Sequence, residues 1–280
     1  RIANKMEFKL GVRAHDLSEK KSPEELTDII SKYGFSYIQL VFPKALKDYS
    51  YDEEYVKRVA DLLKKKNITV AMLGAYFNPV HSDRSKVLAG IENFKSNLRI
   101  AKFFNNPYVG SETGSYNDSP WTYVPKNHTE EGYQETKKVF QELTAYAEEE
   151  GSDITIESAW GHVIYSYQEQ ARLLKELNSN RVHATVDLFN LLYEGNFDKR
   201  DEIFEGALKT LGSEVKIIHL KDAKIIDGKL VQLAPGEGDF HFKFMIDTIR
   251  KYSPDATLIF EGVKADKIDQ SKNLIISLMK

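Results

Sequence analysis

The chain predicts a closed (β/α)8 barrel, and three features carry that expectation. Short runs rich in β-branched and aromatic residues alternate along the whole chain with amphipathic stretches of helical period rich in Lys and Glu. The strand-like runs number eight, and 280 residues is a length that αβ barrels reach around one core. An open doubly wound sheet would more often have about five or six strands and a glycine-rich phosphate loop after the first. Here the first run leads into Arg13-Ala14-His15-Asp16, with no such loop.

Strands are expected, in order, at 8–14 (FKLGVRA), 37–42 (YIQLVF), 68–75 (ITVAMLGA), 108–113 (YVGSET), 153–159 (DITIESA), 182–189 (VHATVDLF), 215–221 (VKIIHLK) and 256–262 (ATLIFEG). Helices are expected between them at 23–33, 52–66, 84–104, 129–149, 167–178, 199–211, 240–251 and 266–278. Ser22-Pro23-Glu24-Glu25 and Thr129-Glu130-Glu131 are helix-start signals. The longest connections, 78–84, 114–128 and 223–238, follow strands. In a barrel they lie at the C-terminal face, where active sites are built. No linker rich in Pro, Gly or Ser divides the chain, so one domain is expected over 1–280, with residues 1–5 a disordered or non-native extension ahead of Met6.

With 39 basic and 42 acidic residues, the net charge of -3 lacks the basic excess of a protein that neutralises many nucleic-acid phosphates. Cysteine is absent, which excludes disulfides, thiolate metal sites and a cysteine nucleophile and suits a reducing compartment. No apolar run is long enough for a membrane span, and the first residues lack the apolar core of a secretory signal, so a cytoplasmic protein is expected.

Four of the strand-like runs end in a metal-competent residue: Glu157 in ITIESAW, Asp187 in ATVDLFN, His219 in KIIHLKD and Glu261 in LIFEGV. Each follows an apolar or β-branched run, and a charge at the end of a buried strand is costly unless a partner or metal compensates it. Any one of them could simply meet a Lys or Arg at the barrel rim. Four on successive strands, spaced as βα units, point instead to a shared site. Three carboxylates and an imidazole suit one divalent ion such as Mn, Co, Mg or Zn, with Mn favoured.

IESAW, VDLFNLL, HLKDAK followed by LAPGEGDFHF, and FEGV stand in the order and spacing of the xylose isomerase-like TIM barrel superfamily, which the chain resembles over residues 8–278, specifically its sugar-phosphate isomerase/epimerase branch. The resemblance implies that Glu157, Asp187, His219 and Glu261 bind one divalent metal and that Glu157 and Glu261 exchange protons with a small sugar or polyol. Their chemistry agrees. Moving a carbonyl, or inverting the carbon beside it, means removing a C–H proton through an enediolate, and a carboxylate on each face can take and return it. The sequence departs from the family's ketose epimerases where they carry a histidine three residues after the aspartate. Asn190 stands there instead, and the stretch after His219 lacks their arginine.

Further substrate contacts are expected from His162 and Trp160 after the fifth strand, Lys221 two residues beyond His219, Glu112 at the end of the fourth, His15 at the end of the first and His81 after the third. Each has a plainer reading as well. The histidines can be idle loop or neighbouring groups, Trp160 can be packing, Lys221 can neutralise Glu157 or Glu261, and Glu112 can pair with Lys221 or Arg13. The main alternative is a lyase of the inosose dehydratase type, which shares the first proton abstraction. A zinc AP endonuclease-like hydrolase would need more metal ligands, and a non-catalytic sugar-binding protein would not need two buried glutamates. A homo-oligomer stays open.

Overall fold

The computed structural model describes residues 8–280, so the expectation for residues 1–5 lies outside them. Among the described residues eight parallel strands close into a barrel: β1 (Lys9–Arg13), β2 (Tyr37–Leu40), β3 (Thr69–Gly74), β4 (Tyr108–Ser111), β5 (Asp153–Glu157), β6 (Val182–Asp187), β7 (Val215–Leu220) and β10 (Thr257–Phe260). Around it run α1 (Pro23–Lys32), α3 (Glu53–Lys65), α4 (Arg84–Ile100), α5 (Glu130–Glu150), α6 (Tyr167–Leu177), α7 (Arg200–Leu211), α8 (Phe242–Tyr252) and α9 (Ala265–Leu278). Ser22 and Thr129 cap α1 and α5 through their side chains, as their start signals predict. Among the described residues no helix is long and apolar enough to cross a membrane.

The strands end earlier than the sequence suggests. The run expected as strand to residue 42 stops at Leu40, because Pro43 opens the short helix α2 (Phe42–Ala45). Phe42 is fully buried there against Tyr51, Tyr55 and Phe104. The long connection after β7 carries a hairpin of β8 (Asp222–Ile226) and β9 (Lys229–Leu233), joined at Asp227 and Gly228, both with positive φ. Asp222 ties the connection that follows by accepting the backbone N–H groups of Gly236, Gly238 and Phe240 at 2.9, 2.9 and 3.0 Å. A Cβ on Gly238 would stand 2.3 Å from Asp222 Oδ1, so only glycine fits.

Alternation of side chains along the strands decides where the site forms. Outward residues pack with the helices into the main core. Ile217 and Ile259, together with Met72 and Ala71, form a separate small cluster. Gly110 makes room for it, since a Cβ there would meet Met72 Cε at 2.1 Å. Above Ile217 and Ile259, two residues further along the same strands, come His219 and Glu261. Likewise Thr155 and Thr185, joined through their hydroxyls at 2.7 Å, precede Glu157 and Asp187. Register places Asp187 opposite His219 and Phe260 opposite Leu220, so one polar layer caps the plugged interior at the C-terminal mouth.

Candidate metal centre and substrate pocket

Glu157, Asp187 and His219 are buried, and one ligand atom from each lies within 4.8 Å of the others. The imidazole stands between two groups. Its Nδ1 faces Asp187 Oδ2 at 3.2 Å and Glu157 Oε1 at 3.4 Å, and its Nε2 faces Gln39 Oε1 at 2.7 Å and Glu261 Oε2 at 3.2 Å. Glu261 is therefore buried beside the same ring but on its other edge, outside the three-residue cluster. Lys221, just past β7, bridges the two halves with Nζ 2.8 Å from Asp187 and 3.1 Å from Glu261.

Two amides fix the glutamates. Asn190 donates to Glu157 Oε2 at 2.7 Å, and its own N–H reaches Asp187 Oδ1 at 3.2 Å. Gln39 donates to Glu261 Oε2 at 2.8 Å and to Tyr76 Oη at 3.2 Å. Glu157 Oε1 is buried with no hydrogen bond. A buried carboxylate oxygen that accepts no hydrogen bond, 3.4 Å from an imidazole nitrogen and close to a second carboxylate, belongs to the donor set a hard or borderline divalent cation takes, so the residues fit one.

The protein's own charges split the carboxyl groups. Burial raises Glu157, only partly offset by His219. Burial would also raise Glu261, but His219, Lys221 and Arg13 outweigh it and hold the group well below the usual carboxylate range. Asp187 is lowered because Lys221 and His219 outweigh its burial. His219 goes up: burial favours the neutral ring, yet Glu261 and Glu157 prevail.

A cavity of about 360 Å³, within the usual range for ligand pockets, opens from Glu261. Its lining includes Arg13, His15, Lys44, Tyr76, Glu112 and Trp121. A larger hollow of about 610 Å³ around Lys64, Asn67 and Phe103 lies at the start of β3, away from the strand C-termini. Of the expected substrate contacts, His15 and Glu112 line the first cavity, while Lys221 and Asn190 touch the metal-competent carboxylates. His162 is buried behind Glu112, with Nδ1 3.4 Å from Glu112 Oε2 and its ring edge-on to Trp121. The plainer pairing of Glu112 with Lys221 or Arg13 does not form. Burial pushes the Glu112 carboxyl well up and lowers His162 to about 4.

His81 and Trp160 are not brought to this cavity. His81 Nδ1 accepts the Asp83 N–H at 2.9 Å, and Trp160 is sandwiched between Tyr193 and Tyr123 with ring centroids 3.9 and 4.6 Å away. Trp160 acts on the site through its backbone, donating its N–H to the Asn190 carbonyl at 2.6 Å. Sequence reasoning named Arg13 only as a possible partner of Glu112 and passed over Gln39. Gln39 is a polar residue inside an otherwise apolar strand, and that was the available signal.

The family model of the xylose isomerase-like TIM barrel matches residues 27–277. The chain belongs to this family. No curated protein matches it, but many solved structures share the fold. A D-tagatose 3-epimerase-like protein is 17% identical, with 97% of each chain covered and a TM-score of 0.76. An IolI protein with a bound zinc atom is 18% identical, covering 97% of this chain and 98% of its own, with a TM-score of 0.74. A D-psicose 3-epimerase from Clostridium cellulolyticum H10, solved with D-tagatose, is 15% identical, covering 97% and 99%, with a TM-score of 0.72. At such identities the likeness is one of fold.

Proposed function

We propose that this protein is a divalent-metal-dependent isomerase or epimerase of a small sugar or polyol, with Glu157 and Glu261 as its proton-transferring groups. One observation carries the reading: two buried glutamates, each held by an amide, flank one imidazole from opposite edges, with Asp187 beside the first, and Glu261 lines a ligand-sized cavity. Glu157, Asp187 and His219 would hold the ion, with Glu261 as the fourth ligand. When bound, a divalent cation supplies a Lewis acid beside a substrate carbonyl.

The protein's residues do the rest. Glu261, kept ionised, is suited to accept a proton from carbon. Glu157, with its raised affinity for a proton, is suited to return one, since environments that push two carboxyl groups apart assign base and acid. Asn190 and Gln39 fix the two carboxyl planes, and the apolar plug below them shuts the barrel interior beneath the reacting groups. A lyase reading rests on Glu112. Burial raises the proton affinity of its carboxyl at the cavity wall, where an acid can assist loss of a hydroxyl.

The test is product formation from a panel of ketoses and keto-polyols with Mn added, for the native protein and for Glu157→Gln and Glu261→Gln. The amides keep the shape but cannot accept a proton, so each variant should lose more than about a hundredfold in kcat with its fold intact. Near-native turnover in either variant removes that glutamate from proton transfer. A product lighter by one water selects the lyase.

A further inference from the structure

We infer that Glu112 and His162 form a neutral pair sharing one proton, in which Glu112 turns a hydrogen-bond acceptor toward a substrate hydroxyl and His162 is its positioning residue. The substrate part rests on the proposed sugar-binding role of the same cavity.

The pair is built by the turns that follow two neighbouring strands. Glu112 stands one residue past β4 and lines the cavity, with its side chain largely covered. His162 comes from the turn after β5, which Ala159 N closes on Ile164 O at 3.0 Å and in which His162 donates its own N–H to Ala159 O at 2.9 Å. That turn is fastened to the residues directly after Glu112. Val163 N donates to Gly114 O at 3.1 Å, and Ile164 N to Thr113 Oγ1 at 3.0 Å. Asn127 secures it further, donating to Gly161 O at 2.9 Å. His162 is only 6% exposed, and Trp121, which lines the same cavity, meets its ring edge-on.

The chemistry follows from one contact. His162 Nδ1 faces Glu112 Oε2 at 3.4 Å and is buried with no hydrogen bond, while a backbone hydrogen bond to Trp121 serves the rest of the ring. A neutral imidazole carries one N–H, and with that proton given to the Trp121 carbonyl, Nδ1 is a bare acceptor. Two bare acceptors facing each other in a buried place would each lose water with nothing in return. One proton between them removes the conflict. An imidazolium beside a carboxylate would instead bury both charges and add a negative charge to a cavity where Glu157 and Glu261 already act on Glu112, with Lys221 as the opposing cation. Burial accordingly pushes the Glu112 carboxyl well up and lowers the ring to about 4. With its O–H turned to the ring, Glu112 keeps its other oxygen for the cavity. A neutral acceptor there takes a hydroxyl proton without the desolvation that a carboxylate would cost.

The first arm of the test needs no substrate. Proton–nitrogen correlation spectra of the full chain with Zn, which is diamagnetic, report the ring nitrogens of His162, assigned by their loss in His162→Gln. The expected ring has one protonated nitrogen and one bare nitrogen whose resonance is displaced by a hydrogen bond. Glu112→Ala should return that resonance to the position of a free imine nitrogen. Glu112→Gln, whose amide N–H takes the place of the O–H, should leave it displaced. A ring protonated on both nitrogens, or a resonance that Glu112→Ala does not move, overturns the pair. The second arm is calorimetry with D-tagatose and 2-keto-myo-inositol as probes. The probe that binds more tightly should lose about fivefold in affinity in Glu112→Ala and less than about twofold in Glu112→Gln, with Zn affinity unchanged in both. Equal losses in the two variants, or no binding of either probe, overturn the role of Glu112 as acceptor. The proposed reaction stands or falls separately. Binding that follows this pattern without turnover leaves the pair standing and removes the isomerase. Turnover that is lost in Glu112→Gln makes Glu112 a proton donor, which overturns the inference and selects the lyase.

Discussion

Replacing Lys221 by Met keeps the aliphatic stem and removes the one ammonium set between Asp187 and Glu261. Both partners are buried and lie 2.8 and 3.1 Å away, so the variant leaves two carboxylates without their nearest cation. Removing one member of a buried ion pair costs about 3–5 kcal/mol, and each lost hydrogen bond to a charged group accounts for roughly 1.5–3 kcal/mol of such a loss. For a domain of this size, at roughly 2–4 °C per kcal/mol, Tm should fall by about 10 °C. A divalent cation restores positive charge to the same carboxylates and, in the variant, no longer meets a competing ammonium. Mn should therefore raise Tm by more in Lys221→Met than in the native protein. The assay is thermal unfolding at pH 8 with EDTA and then with excess Mn. An unchanged Tm in EDTA would refute the buried ion pair, and equal Mn shifts in the two proteins would refute the shared use of its carboxylates.

Gln39→Leu removes the amide that joins Glu261 to the far edge of His219, and metal affinity measured by competition with a chelating dye should fall about 10–100-fold. An unaltered affinity would make Gln39 a packing residue. His162 is held neutral by burial down to about pH 4, whereas in the unfolded chain it takes up a proton near pH 6.5. The unfolded state thus binds more protons between those values, so the ring's contribution to stability is complete above about pH 6.5 and is lost as pH falls toward 4. The loss amounts to as much as about 3 kcal/mol. Urea midpoints for the native protein and His162→Gln should accordingly diverge only below pH 6.5, with the native protein losing more. Parallel pH profiles would count against the buried neutral ring.

Local signals were enough for the barrel and for the four strand-end residues, because both are written in the alternation of each strand. Glu157, Asp187, His219 and Glu261 each follow an inward-facing small or apolar residue by two positions, so a single strand is enough to aim them at the mouth. Contacts between strands were not readable in this way. Lys221 was expected as a substrate contact, with neutralising Glu157 or Glu261 as the plainer reading; it does pair with Glu261, and across the β6–β7 seam with Asp187 as well. Glu112, just past β4, meets His162 from the loop after the neighbouring strand β5, a contact that no pattern within either run foretells. Trp160 and His81 were sensible sugar contacts by type. Trp160 is taken up by Tyr123 and Tyr193, and His81 by its own turn at Asp83. The place of Lys44 in the cavity lining was hidden because the run before it reads as strand, whereas Pro43 turns it into a short helix.

The most direct test of the account is proton exchange between substrate and solvent. The Mn-loaded protein is incubated with carbonyl sugars and keto-polyols in deuterated water, and the C–H signals beside the carbonyl are followed by NMR. The account predicts deuterium at that carbon in native protein, on product or on recovered substrate, and almost none in Glu157→Gln or Glu261→Gln. Absence of exchange from every carbonyl sugar and polyol in the metal-loaded native protein would contradict it and leave a binding role as the better description.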